Sequence, residues 1–155
     1  MSHNVEVMPS GKTPASEERV VQGAVTHIPP TGGTRSLWVF GELATHKIPS
    51  RRTGGAYAVF EVSTRPGSGP PPHVHHREDE AFYVLEGKYE FSIKGHAMKV
   101  EARSLVYVPK GVLHAHENVG EGLGRMLLTQ TPGGSYEHFF EQVGKKAVDG
   151  EAGRL

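Results

Sequence analysis

At 155 residues the chain is long enough for one domain with a real core. Its 17 basic and 17 acidic side chains cancel, and no basic stripe or acidic run points to nucleic acid or to a solvating tail. The absence of cysteine excludes disulfides, thiolate zinc sites and a cysteine nucleophile, while 20 glycines and 11 prolines suit short strands joined by tight turns.

The first 20 residues, MSHNVEVMPSGKTPASEERV, are polar and without a period. They contain no apolar h-region, so a secretory signal is not expected. No apolar run approaches the roughly 18 residues needed to cross a bilayer. The expectation is a cytoplasmic protein with a flexible arm over 1–20, one domain over 21–145 and a flexible tail over 146–155. SLWVFGEL (36–43) and THKIP (45–49) read as short strands, with RRTGG (51–55) as a turn. AYAVFEVST (56–64) is rich in β-branched and aromatic residues and reads as a strand. RPGSGPPP (65–72) is a rigid loop, since so much Pro and Gly suits neither helix nor central strand. Strands follow at 80–87, 87–95, 96–102, 104–109, 113–119 and 124–131. In the second of these, Tyr89, Phe91 and Ile93 alternate with charged and polar residues. Only SYEHFFEQVGKK (135–146) reads as helix. Many short strands with Gly and Pro turns predict an all-β antiparallel sandwich, of which the double-sheet jelly roll is one form, closed by a short C-terminal helix.

His73 and His75 are two apart, so on extended backbone they share a face, and His76 faces away. His114 and His116 likewise share a face. Glu80 follows the first pair, with the apolar Phe82 and Val84 in its phase. A carboxylate in such a row is costly unless a metal or hydrogen bonds compensate it. His73, His75, Glu80 and His114 therefore form a candidate site for one divalent metal ion per chain, with Asp79 an alternative for the carboxylate. Fe, Ni, Co, Mn, Cu and Zn all suit such ligands. Glu78 reads as a solvated turn charge, and His3, His27, His46, His76, His96 and His138 read as surface residues. His116 reads either as packed or hydrogen-bonded inside the sandwich, or as a proton-transfer group near the metal.

Residues 67–87 fit the pattern G-x5-H-x-H-x4-E-x6-G, and Pro109, Gly111, His114 and Asn118 fit P-x-G-x2-H-x3-N. These are the two motifs of the cupin superfamily, and the chain resembles a small single-domain cupin over about residues 33 to 143. Within that superfamily PPPHVHHREDEAFYVLEGKYEF is most similar to the bacterial quercetin 2,3-dioxygenase-like proteins. The second motif departs at one place, where Arg103 stands for a customary glycine. His116 occupies a position that often holds an aromatic residue.

The resemblance implies that His73, His75, Glu80 and His114 hold the metal and that Glu80 is the catalytic base, taking a proton from a substrate hydroxyl. In quercetinases the electron-rich anion then reacts with dioxygen, the heterocycle opens and carbon monoxide leaves. A flat aromatic substrate makes Phe82, Tyr89, Phe91, His116, Met126 and Leu128 candidates for the pocket, each also readable as plain core. Trp38 either covers that pocket or staples a sheet edge. The same fold and metal box also serve non-oxidative isomerases, lyases and hydrolytic enzymes, and small-molecule-binding proteins without activity. Ala81, Tyr83 and Leu85 form an apolar row on the face opposite Glu80, which suggests a homodimer.

Overall fold

Period-two burial organises the chain. The computed structural model describes residues 25–146, so the expected arm over 1–20 and the tail beyond Lys146 lie outside the described residues. Along the chain run β1 (Ser36–Val39), β2 (Glu42–Ile48), a 3-10 turn (Ser50–Arg52), β3 (Ala58–Thr64), β4 (Asp79–Glu86), β5 (Lys88–Ile93), β6 (His96–Glu101), β7 (Leu105–Val108), β8 (His114–Asn118), β9 (Gly124–Thr131), α1 (Ser135–Val143) and β10 (Lys145–Lys146). All named pairs are antiparallel. One sheet has the order β10-β1-β2-β3-β9-β4-β7 and the other β6-β5-β8. This is the expected double-sheet jelly roll.

The inward rows meet between the sheets. Ala58, Phe60 and Val62 of β3, Phe82 and Val84 of β4, and Met126 and Leu128 of β9 are buried from one side. Tyr89 and Phe91 of β5 are buried from the other. Register places Leu128 beside both Phe60 and Phe82, so three strands contribute to one apolar layer. The outward row of β4 is exposed: Tyr83 is 40% and Leu85 41% accessible, beside Leu105 and Tyr107 of β7.

Local turn chemistry explains several departures from the sequence reading. The strand expected over 36–43 is broken by Phe40 and Gly41, both at positive φ, which form a two-residue hairpin loop between β1 and β2. β2 then runs unbroken through 42–48, across the boundary expected at residue 44. Lys94 and Gly95 make the same kind of loop between β5 and β6. Arg103 adopts φ +73, so a non-glycine residue fills the left-handed position where glycine is customary. α1 ends at Val143 rather than running to 146, because Gly144 leaves the helix and Lys145–Lys146 pair with β1. Lys146 is thus part of the sheet rather than of a tail. His46, expected on the surface, is 4% exposed and packs edge-on against Phe60 at 4.7 Å.

Candidate metal centre

The loop carrying His73 and His75 is fastened to β8 by backbone hydrogen bonds. His73 N–H donates to His114 O at 2.9 Å, and His114 N–H returns a bond to His73 O at 3.0 Å. Gly111 N–H donates to His75 O at 2.7 Å. Glu80, second residue of β4, points inward. Ligand atoms from His73, His75, Glu80 and His114 consequently lie within 4.8 Å of one another. Asp79, the alternative carboxylate, is engaged elsewhere: its Oδ1 accepts from Lys110 N–H at 2.8 Å.

Tautomers follow from the outer ring nitrogens. His73 Nδ1–H donates to Pro71 O at 2.9 Å and His114 Nδ1–H to Val112 O at 3.0 Å. A neutral ring so held presents a bare Nε2 lone pair to the centre. His114 Nε2 lies 2.9 Å and His75 Nε2 3.4 Å from the two Glu80 oxygens. Yet His75 Nε2, His114 Nε2 and both Glu80 oxygens are buried without a hydrogen-bond partner. Lone pairs facing a carboxylate at these distances repel unless a metal ion or a proton stands between them. Four orphaned buried atoms from three ligands are thus the structural observation that fits a metal ion. Donors about 2.1 Å from one ion are at most about 4.2 Å apart, so the side chains are less than about 1 Å from closing on it.

Electrostatics around the cluster are divided. Burial, and then the neighbouring His114 and His75 rings, lower the His73 pKa against the pull of Pro71 O and Glu80. Burial acts in the same direction on His114, but Glu80 and Val112 O outweigh it and raise that pKa.

Above the cluster lies a cavity of about 330 Å³. His73 and His75 reach it, and Phe40, Pro70, Pro71, Val74, Tyr136, Phe139 and Phe140 make its apolar walls, with Glu42 and Ser135 as further polar groups. Helix α1 supplies much of this wall, with Tyr136 5.7 Å from His75 and 4.1 Å from Phe140 between ring centroids. Burial, and then the charges of Glu80 and Glu42, push the Tyr136 phenol well above its ordinary range, so it stays protonated.

This placement corrects the expected pocket. Phe82, Tyr89, Phe91, Met126 and Leu128 are closed within the core and do not line the cavity. His116 is also absent from the lining: its ring sits 5.3 Å from Phe91 and 5.5 Å from Phe82, and its Nε2–H donates to Glu42 Oε1 at 2.8 Å. Trp38 lies outside this cavity, under the Arg65 guanidinium at 4.5 Å. Glu78 is not a solvated charge. It is 5% exposed, accepts from Ser135 Oγ at 2.5 Å, and places Oε2 4.0 Å from His75 Nδ1. Glu42, Glu78 and the α1 aromatics are residues the sequence reading missed as site components. Reading 135–146 as helix did not say where Tyr136, Phe139 and Phe140 would dock.

Residues 60–129 match the family model described as Cupin domain. The chain is 26% identical over 113 residues to quercetin 2,3-dioxygenase of Bacillus subtilis (strain 168), covering 72% of this chain and 33% of that protein. It is 31% identical over 75 residues to a mannose-1-phosphate guanylyltransferase of Salmonella montevideo, covering 48% of this chain and 16% of that one. The match therefore spans a third or less of either relative. Among solved structures, one described as a predicted oxalate decarboxylase from Thermotoga maritima superposes with a TM-score of 0.64 at 19% identity, over 69% of this chain and 99% of that one. At that identity the likeness speaks for the fold alone. The chain thus resembles the cupins in sequence over residues 60–129 and in its two-sheet fold.

Proposed function

We propose that this protein is a metal-dependent dioxygenase acting on a flavonol or a similar enolisable aromatic. The observation that carries the reading is the junction of an orphaned His-His-His-Glu cluster with an aromatic-walled cavity. The distant similarity to a quercetin 2,3-dioxygenase supports the same substrate class. A divalent ion held by His73, His75, Glu80 and His114 supplies Lewis acidity, which lowers the pKa of an oxygen ligand.

The chain's own residues supply the rest. Glu80 has one oxygen facing each of His75 and His114, so it is placed to take the proton of a hydroxyl at the cluster. The side chains of Phe40, Phe139 and Phe140 form flat walls that orient a planar ring and exclude water. Tyr136, held protonated, can offer a hydrogen bond but not act as a base near the anion so formed. Dioxygen is the oxidant, and the heterocycle opens with loss of carbon monoxide as in quercetinases.

The test is loss of the flavonol absorbance band by metal-reconstituted protein with and without oxygen. Oxygen-dependent loss that disappears in Glu80→Gln supports the reading. Equal conversion under strict anaerobiosis replaces it with a non-oxidative reaction, and binding without turnover replaces it with a carrier or sensor. We further propose a homodimer buried through Tyr83, Leu85, Leu105 and Tyr107. Light scattering at micromolar concentration is expected to give twice the chain mass, and a monomer mass contradicts it.

A further inference from the structure

Glu42 stands outside the metal cluster, yet it is a carboxylate held at 4% exposure in the wall of the same cavity. It opens β2, directly after the Phe40–Gly41 loop. Thr64 Oγ1–H donates to its Oε1 at 2.8 Å, and His116 Nε2–H donates to the same oxygen at 2.8 Å. Tyr89 O–H donates in turn to Thr64 Oγ1 at 3.1 Å. The network therefore fixes one oxygen from behind. Among the described residues, no hydrogen bond reaches Oε2, and this oxygen is also not one of the buried polar atoms lacking a partner. It is the oxygen left to face the cavity.

That asymmetry has a consequence for any ligand. The surrounding walls are apolar, so a ligand filling the cavity strips water from Oε2 and must offer a donor in its place. A site built around a buried acceptor rejects analogues lacking the matching donor more strongly than an apolar pocket rejects a misfit. Glu42, His73, His75 and Tyr136 line one cavity, so this carboxylate and two members of the histidine cluster open onto the same space.

We propose that Glu42 is the specificity-determining residue of the cavity, accepting a hydrogen bond from a second ligand hydroxyl, distinct from the one at the His73, His75, Glu80 and His114 cluster. The assignment rests on the aromatic-substrate reading above. It favours polyhydroxylated ligands, which offer the donor that Oε2 needs.

The test is equilibrium binding by fluorescence, without oxygen, to full-length zinc-loaded protein. Two probes are used: quercetin, and 3-hydroxyflavone, which keeps the chelating hydroxyl and lacks the others. Wild type is expected to bind quercetin at least about 10-fold tighter than 3-hydroxyflavone. Glu42→Leu is expected to weaken quercetin about 10-fold and leave 3-hydroxyflavone within about 2-fold, with metal content unchanged. Because Leu strands Thr64 and His116, Glu42→Gln carries the test if that variant does not fold. It keeps the shape and removes the charge, and is expected to lose about 3-fold or more for quercetin alone. A preference that is undiminished in the variants, or equal binding of the probes by wild type, overturns the Glu42 assignment and leaves the flavonol reading standing. Binding of neither probe to wild type overturns both.

Discussion

Replacing Glu78 with Gln probes a residue that never touches the metal. Glu78 is 5% exposed, its Oε2 is 4.0 Å from His75 Nδ1, and Ser135 Oγ–H donates to its other oxygen at 2.5 Å. His73 and His114 have backbone carbonyls on their outer nitrogens, whereas the His75 outer nitrogen has this carboxylate 4.0 Å away. A carboxylate behind a ligating imidazole fixes its tautomer and raises its basicity, and its loss commonly costs 10- to 100-fold in metal affinity. Tenfold corresponds to about 1.4 kcal/mol, and at 4.0 Å the pair is a charge contact rather than a hydrogen bond, so Glu78→Gln is expected to cost the lower end of that range, about 1.4 kcal/mol of zinc binding. Gln preserves volume and can still accept from Ser135, which keeps the helix tether and separates charge from shape. Competition against a chromophoric chelator measures the affinity, and Ser135→Ala serves as a control expected to lose less. An unchanged zinc affinity in Glu78→Gln would refute the reasoning and return Glu78 to a purely structural role.

Three further outcomes follow from the geometry. Zinc or nickel at about 100 times its dissociation constant is expected to stabilise the protein by about 2.7 kcal/mol, or about 5–11 °C in a thermal melt, with EDTA reversing the shift and Glu80→Gln abolishing most of it. Gly87→Ala is expected to cost about 2–4 kcal/mol in urea unfolding, since Gly87 has φ +93 and its added Cβ meets Gly124 Cα at 2.8 Å, whereas Gly95→Ala, at φ +84 with nothing within 4 Å, costs about 1 kcal/mol; equal losses contradict this account of the motif glycine. Burial, partly offset by Glu137, lowers the pKa of His46 in the fold, so the unfolded chain binds the proton first as pH falls and stability is lost below about pH 6.5. In EDTA, His46→Gln is expected to flatten that fall by up to about 1.4 kcal/mol per pH unit in denaturant titrations, and an unchanged slope contradicts the assignment.

The ligand cluster was legible because spacing alone puts His73 and His75 on one face, and because Glu80 interrupts an apolar row with a charge that needs compensation. The sheets were legible from the β-branched and aromatic run at 56–64 and from the alternation at 87–95. The cavity was not. Its walls come from the Phe40–Gly41 loop, the Pro70–Pro71 stretch and α1, which are distant in sequence, and periodicity says nothing about where a terminal helix docks. Inward phase named Phe82, Phe91 and Leu128 as pocket candidates, but inward residues near the middle of a closed sandwich are used up in packing. Glu42 was hidden by the loop at Phe40–Gly41, which resets the strand phase just before it. Glu78 looked like a turn charge because its partners, His75 and Ser135, come together only when the helix returns to the sheet.

The central claim is that His73, His75, Glu80 and His114 form a divalent metal centre. Elemental analysis of purified protein, before and after reconstitution and dialysis, tests it most directly. The account predicts about one divalent ion per chain in wild type and none retained in the His73→Ala/His114→Ala double variant, with the fold of both confirmed by circular dichroism. Wild-type protein that stays metal-free after reconstitution, or a double variant that retains a full equivalent, would contradict it.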